Sequence, residues 1–105
     1  MNDLKQPVFL GARTSLLPAD VTHLEAEVNY TIVYSASGKN EILSSTMKKV
    51  YECLKEHGNF IRISRKYVVN MKFVKTSNEQ ELILSSGKEL RPSRRKRKEL
   101  DQIFR

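Results

Sequence analysis

The stretch Phe60 to Asn70, FIRISRKYVVN, constrains the fold more than any other segment of this 105-residue chain. Read as a strand, it sets Ile61 and Ile63 on one face and Arg62 and Ser64 on the other. Unbroken alternation would carry Arg65 onto the apolar face, where an unpaired guanidinium costs several kcal/mol. The strand must therefore break near Ser64. Ser64, Arg65 and Lys66 then form an exposed bend, and Tyr67, Val68 and Val69 anchor it to the core. Asn70 can close the turn by bonding its side chain to nearby backbone. Apolar residues here fix a short segment so that its cations face outward.

Those cations belong to a larger asymmetry. Residues 1–52 hold five Lys/Arg and six Asp/Glu, a net of −1, whereas residues 53–105 hold fourteen and six, a net of +8. Such a field favours a polyanion, either nucleic acid or an anionic membrane surface. A basic surface kept only for solubility fits scattered lysines better than clustered arginines. The length suits one domain over residues 1–105. No apolar run approaches a membrane span, and the N-terminus MNDLKQPVFLG lacks the pattern of a secretory signal. The lone Cys53 cannot form an internal disulfide. A soluble protein of the reducing cytoplasm is expected.

Periodicity supplies the other elements. Val8, Phe9 and Leu10 before Gly11 read as a short strand, and LPAD, with Pro18 and Asp20, as a turn. From Val28 the residues alternate, with Val28, Tyr30, Ile32 and Tyr34 on one face and Asn29, Thr31, Val33 and Ser35 on the other. ASGK, from Ala36 to Lys39, is a hairpin turn that brings Glu41 to Leu43 back as a partner strand. Met47, Val50, Tyr51 and Leu54 have helical spacing and predict an amphipathic helix near 45–57. Ser45 or Thr46 would cap it, and Gly58 would leave it in a left-handed conformation. Met71 to Thr76 and Glu81 to Leu84 are strand-like, and Ser85 to Lys88 is a hairpin turn before Glu89 to Arg91.

The segment RPSRRKRKELDQIFR, Arg91 to Arg105, contains a local conflict. Leu100, Ile103 and Phe104 have helical spacing and Ser93 is a good cap, so a short C-terminal helix starts near Arg94. Its first turn is Arg94, Arg95 and Lys96, the wrong sign for the helix dipole. Free backbone amides and clustered cations attract the same ligand, a phosphate. Taken alone, this segment fits a solvated basic helix end equally well. The cationic bend about thirty residues upstream tips the balance towards an anionic partner.

Catalysis finds little support. The histidines are His23 and His57, and one cysteine cannot complete a metal-ligand set of the usual spacing. All four glycines are isolated, so no phosphate-cradling loop is present, and no serine sits in a nucleophile elbow. Glu25 and Glu27 on one strand face read as a solvated edge rather than an acid/base pair. No enzyme activity, cofactor, metal or small-molecule substrate is expected.

In this order the features resemble the LytTR DNA-binding domain of bacterial transcription regulators. The resemblance runs from about Val8 to Phe104. It rests on HLEAEVNYTIVY, on the amphipathic helix before Gly58, on FIRISRKYVVN, which is much the most specific, and on ELRPSRRK. It implies a mainly β fold, a compact domain of short antiparallel strands in small sheets with few helices. It also implies DNA reading by loops inserted into successive major grooves, not by a recognition helix. The contacts it carries over fall at Asn29, Tyr30 and Thr31, at Arg65 and Lys66 in the bend, and at Arg94 or Arg95. Where a histidine and a serine commonly flank the bend's arginine in the family, this chain has Ser64 and Lys66, which bears on the target sequence rather than the mode of binding.

The function expected is therefore that of a sequence-specific regulator on duplex DNA. Arg65 and one of Arg94 or Arg95 would meet guanine edges. Lys66, Lys72, Lys75, Arg91, Lys96, Arg97 and Lys98 would mainly neutralise phosphates. Many relatives carry an input domain, and about twenty residues precede the first matching motif here. No separate input domain is expected, so control would fall to a separate regulatory or membrane partner, or to abundance. Two copies could pair on repeated DNA sites. The rival is a basic interaction module for an acidic protein, an anionic membrane or RNA. RNA binding would call for exposed aromatics, whereas Tyr30, Tyr34 and Phe73 read as core.

Overall fold

The computed structural model describes residues 8–9, 15–77 and 81–103. Leu10, Gly11 and Phe104, which figure in the sequence expectations, lie outside them. The architecture is mainly β, with small antiparallel sheets and two helices. Strands β1 (Val8–Phe9) and β2 (Ser15–Leu16) pair, and a 3-10 turn at Pro18–Asp20 occupies the expected LPAD turn.

A five-stranded sheet holds β3 (Val21–Ala26), β4 (Thr31–Ser35), β5 (Glu41–Leu43), β6 (Phe60–Arg62) and β7 (Tyr67–Asn70), in the order β5-β4-β3-β7-β6. A three-stranded sheet follows, with β8 (Val74–Ser77), β9 (Leu82–Leu84) and β10 (Glu89–Leu90) in the order β10-β9-β8. Gly38 and Gly87 sit at the tips of the β4–β5 and β9–β10 hairpins with φ of +87° and +94°, a region where a side chain is strained.

Helix α1 (Met47–Leu54) turns Met47, Val50 and Leu54 inward, and the Thr46 hydroxyl accepts the Lys49 amide at 3.3 Å as its cap. The helix is shorter than expected. Gly58 lies three residues past the C-cap Lys55 and lacks positive φ, since the Lys55 amide closes on Tyr51 and that of His57 on Leu54, both at 2.9 Å. The orphan carbonyls are met without a left-handed exit. Helix α2 (Arg94–Ile103) begins where Ser93 predicts, and the Ser93 hydroxyl accepts the Lys96 amide at 3.3 Å.

Two clusters of apolar side chains lie on either side of the large sheet. One joins Val21, Leu24, Val33, Leu43, Phe60 and Val68 to α1. The other joins Ile63 and Val69 to Leu82, Leu84, Leu90 and Leu100, linking the second sheet and α2. Strand β7 serves both, because Val68 faces one cluster and Val69 the other. Three expectations change here. The strand predicted from Val28 starts at Thr31, and its buried residues are Thr31 and Val33 rather than the Tyr30 and Ile32 set. The inward face is decided by the partner strand β3, which is itself poorly patterned because Val21 to Leu24 are all buried. Met71–Phe73 forms a 3-10 turn rather than strand, since the Asn70 side chain accepts the Lys72 amide at 3.1 Å and starts the turn.

Candidate nucleic-acid interface

Pairing of β3 with β7 sets two connections side by side at one end of the large sheet, the loop 27–30 and the bend 63–66. The Ala26 amide donates to the Lys66 carbonyl at 2.7 Å and ties them together. The bend is held from within and from below. Ser64 Oγ accepts the amides of Lys66 and Tyr67, each at 3.1 Å, and Ile63 is wholly buried. From the side, the Ser93 amide donates to the Ile63 carbonyl at 2.7 Å, so the start of α2 is bolted to the bend.

Beside that bolt lies a concavity of about 390 Å³, lined by Arg62, Ser64, Arg65, Ser93, Arg95 and Lys96. Among the described residues four cationic side chains line it and no carboxylate does. Arg65 is exposed, and Arg95 is the member of the Arg94/Arg95 pair that reaches it. A second concavity, about 360 Å³, runs from the loop 27–30 past Thr46, Met47 and Lys48 at the start of α1. Arg62 borders both.

Asn29 and Tyr30 line the second concavity and are exposed, Tyr30 by 39%. Thr31 departs from the expected base contact. It is wholly buried and its hydroxyl donates to the Ser45 carbonyl at 2.8 Å, so it holds the loop rather than facing a ligand. Lys66 is exposed but leans back, 3.8 Å from Glu25 Oε2 and 5.9 Å from the Tyr67 ring centroid. Arg91, Arg94 and Lys98 are exposed around α2, Arg97 is half-buried, and Lys96 also pairs with Glu99 at 3.1 Å.

Lys72 is not brought to this group. It follows β7 at the end away from the bend, where its amine donates to the Ala19 carbonyl at 3.4 Å. Lys75 is exposed on β8 and lines neither concavity. Of the aromatics assigned to the core, Tyr30 is exposed, while Tyr34 and Phe73 are half-buried.

Sequence reasoning missed Arg62 and Lys48. Arg62 was readable from alternation, which sets it beside Ser64 and away from Ile61 and Ile63. Lys48 and Lys49 in the first turn of α1 repeat the dipole conflict recognised at α2.

Further along β3 from the two connections, His23 is buried and stacks on Tyr34, with centroids 4.2 Å apart. Burial, then the charge of Lys88, lowers its pKa from 6.5 to about 4, against a smaller opposing effect of Glu25. The Thr22 hydroxyl donates to the Tyr34 carbonyl at 3.1 Å and so receives its 2.9 Å bond from Nδ1–H of His23, leaving Nε2 buried without a partner. Among the described residues no three His, Cys, Asp or Glu side chains could hold a metal ion, and no helix is long and apolar enough to cross a membrane.

Fold and face together define a class, a small β domain carrying a cationic surface built from loops and helix starts. The family model for the LytTr DNA-binding domain matches residues 12–105, and the chain belongs to that family. A solved structure described as the LytTr DNA-binding domain of a methyl-accepting/DNA response regulator from Bacillus cereus aligns with a TM-score of 0.73. It is 19% identical, and the alignment covers 94% of this chain and 96% of that one, so the likeness carries the fold. No curated protein matches.

Proposed function

We propose that this LytTR DNA-binding domain acts as a transcription regulator that recognises specific duplex sequences through the face formed by the bend 63–66, the start of α2 and the loop 27–30. The observation that supports it best is the convergence of Arg62, Arg65, Arg95 and Lys96 on one concavity with no carboxylate among the described residues of its lining. In this reading the bend and the loop enter successive major grooves. Arg65 and Arg95 offer paired donors to guanine edges, and Asn29 and Tyr30 address bases from the neighbouring loop. Lys66, Arg91, Arg94, Lys96, Arg97 and Lys98 neutralise phosphates, which adds affinity but no sequence information. Lys72 and Lys75 stand outside the face. The face offers positioning and charge and carries out no reaction. Two copies on repeated sites, with occupancy set by a separate regulatory protein, extend this reading, as does a cytoplasmic location beside the chromosome.

The exposed ring of Tyr30 is the one feature that favours RNA, but a single aromatic is not the stacking platform that unpaired bases require. Competition binding to a selected site and a scrambled duplex tests the proposal. Arg65→Ala is expected to lose about 1–3 kcal/mol on the selected site and much less on the scrambled one, whereas Arg97→Ala weakens both alike and makes the salt slope shallower by about one. Equal losses for Arg65→Ala would take it out of base readout and favour a general polyanion binder.

A further inference from the structure

Arg62 stands at the centre of the cationic face, yet two of its donors point inward. Its side chain is half-buried, Nε donates to the Ser64 carbonyl at 3.2 Å and Nη2 to the Arg65 carbonyl at 3.4 Å. Both acceptors belong to the bend that carries Arg65. A guanidinium is suited to this, because its planar fork can meet two carbonyls with little loss of rotamer freedom per bond. Ser64 complements it from the other side by accepting the amides of Lys66 and Tyr67. Every backbone group so engaged lies between Ser64 and Tyr67.

We infer that Arg62 is a positioning residue, whose guanidinium spans the carbonyls of Ser64 and Arg65 and sets the direction in which the Arg65 side chain leaves the bend. The inference rests on the reading of Arg65 as a base contact and deepens it. It separates Arg62 from the surrounding cations, which act on phosphate directly. Arg62 acts through Arg65, so its removal costs discrimination rather than counterion release.

The test combines DNA binding with amide hydrogen exchange on the intact domain. Arg62→Met keeps an apolar stem and removes the fork. It is expected to lose about ten- to a hundredfold in affinity for a selected site, with much less loss on a scrambled duplex and an unchanged salt slope. In an Arg65→Ala background it should cost nothing more, because there is no longer a side chain to aim. Exchange at the Lys66 and Tyr67 amides should quicken in Arg62→Met while the amides of β3 keep their protection. Ser64→Ala should reproduce the lost discrimination, and it cannot change the salt slope by removing charge. Equal losses on both duplexes with a slope shallower by about one would make Arg62 a phosphate contact and overturn the inference. So would losses that add to those of Arg65→Ala, or unchanged exchange in the bend. Uniform losses for Arg65→Ala alone would instead defeat the reading of Arg65, and the bracing would then stand or fall on exchange.

Discussion

The bend 63–66 and the loop 27–30 are adjacent four-residue connections at the same end of one sheet, and they are built in opposite ways. In the bend, Ile63 is 0% exposed, Ser64 and Arg62 occupy its backbone groups, and α2 is fastened to its side. In the loop, Val28 is 94% exposed and one bond closes the backbone, from the Glu27 amide to the Tyr30 carbonyl at 2.8 Å. A side chain on the bend has a fixed direction of departure. One on the loop has only a fixed neighbourhood. Discrimination between bases needs the first, because a misplaced pair of donors loses its geometry, while adaptable contact needs only the second.

The most damaging way to break this contrast is to remove what lies beneath the bend. Ile63→Ala leaves a cavity between Val69 and α2 and is expected to cost about 2–5 kcal/mol, read from denaturant midpoints. A loss below about 1 kcal/mol would show that the bend stands without its anchor. Acid should weaken the sheet that carries both connections through His23. Its folded pKa is about 4 against the ordinary 6.5, so the unfolded chain binds the extra proton between those values. Stability therefore rises with pH across that window and is lost as pH falls from 6.5 towards 4, by up to about 3 kcal/mol. His23→Gln should flatten that part of the profile, and an identical profile in the variant would clear His23 of the role.

Thr31→Val touches only the loop side. It strips the Ser45 carbonyl of its 2.8 Å donor and should cost about 1–2 kcal/mol, visible as a lower melting temperature with Arg65-dependent selectivity intact. Smallest of all, Val28→Ser should move stability by no more than about 0.5 kcal/mol, since little is buried there. A larger shift in the melting curve would mean that the loop is packed, and the contrast with the bend would fail.

The same contrast explains what could be read from the chain. The bend was legible because burying Arg65 is prohibitively costly, so a one-dimensional pattern was enough to break the strand. Helix starts at Thr46 and Ser93 were legible because caps are local. The face of β4 was not, since the Val28, Tyr30, Ile32 and Tyr34 set and the Thr31 and Val33 set both look fit for burial. Only pairing with β3 and β7 turns Thr31 and Val33 inward. Nor could spacing show that Arg62 reaches back to the bend, or that Arg95 rather than Arg94 joins Arg65. The reach of Arg62 depends on side-chain direction, and the choice of Arg95 depends on a bond between residues thirty apart, Ser93 and Ile63.

Strand β7, shared between the two clusters, also has a consequence for how the domain comes into being. It lies beside β3, and the Asn70 side chain donates from Nδ2 to the Val21 carbonyl at 2.9 Å across a separation of 49 residues. The chain must close that long loop before either cluster has its central strand, so local hairpins can form early without yielding a core. As the chain is synthesised, β3 and α1 emerge first and wait for β7. Both halves should then consolidate in one kinetic step, with probes beside Leu24 and beside Leu84 reporting the same rate in stopped-flow refolding, and the cationic bend 63–66 arises in that very step.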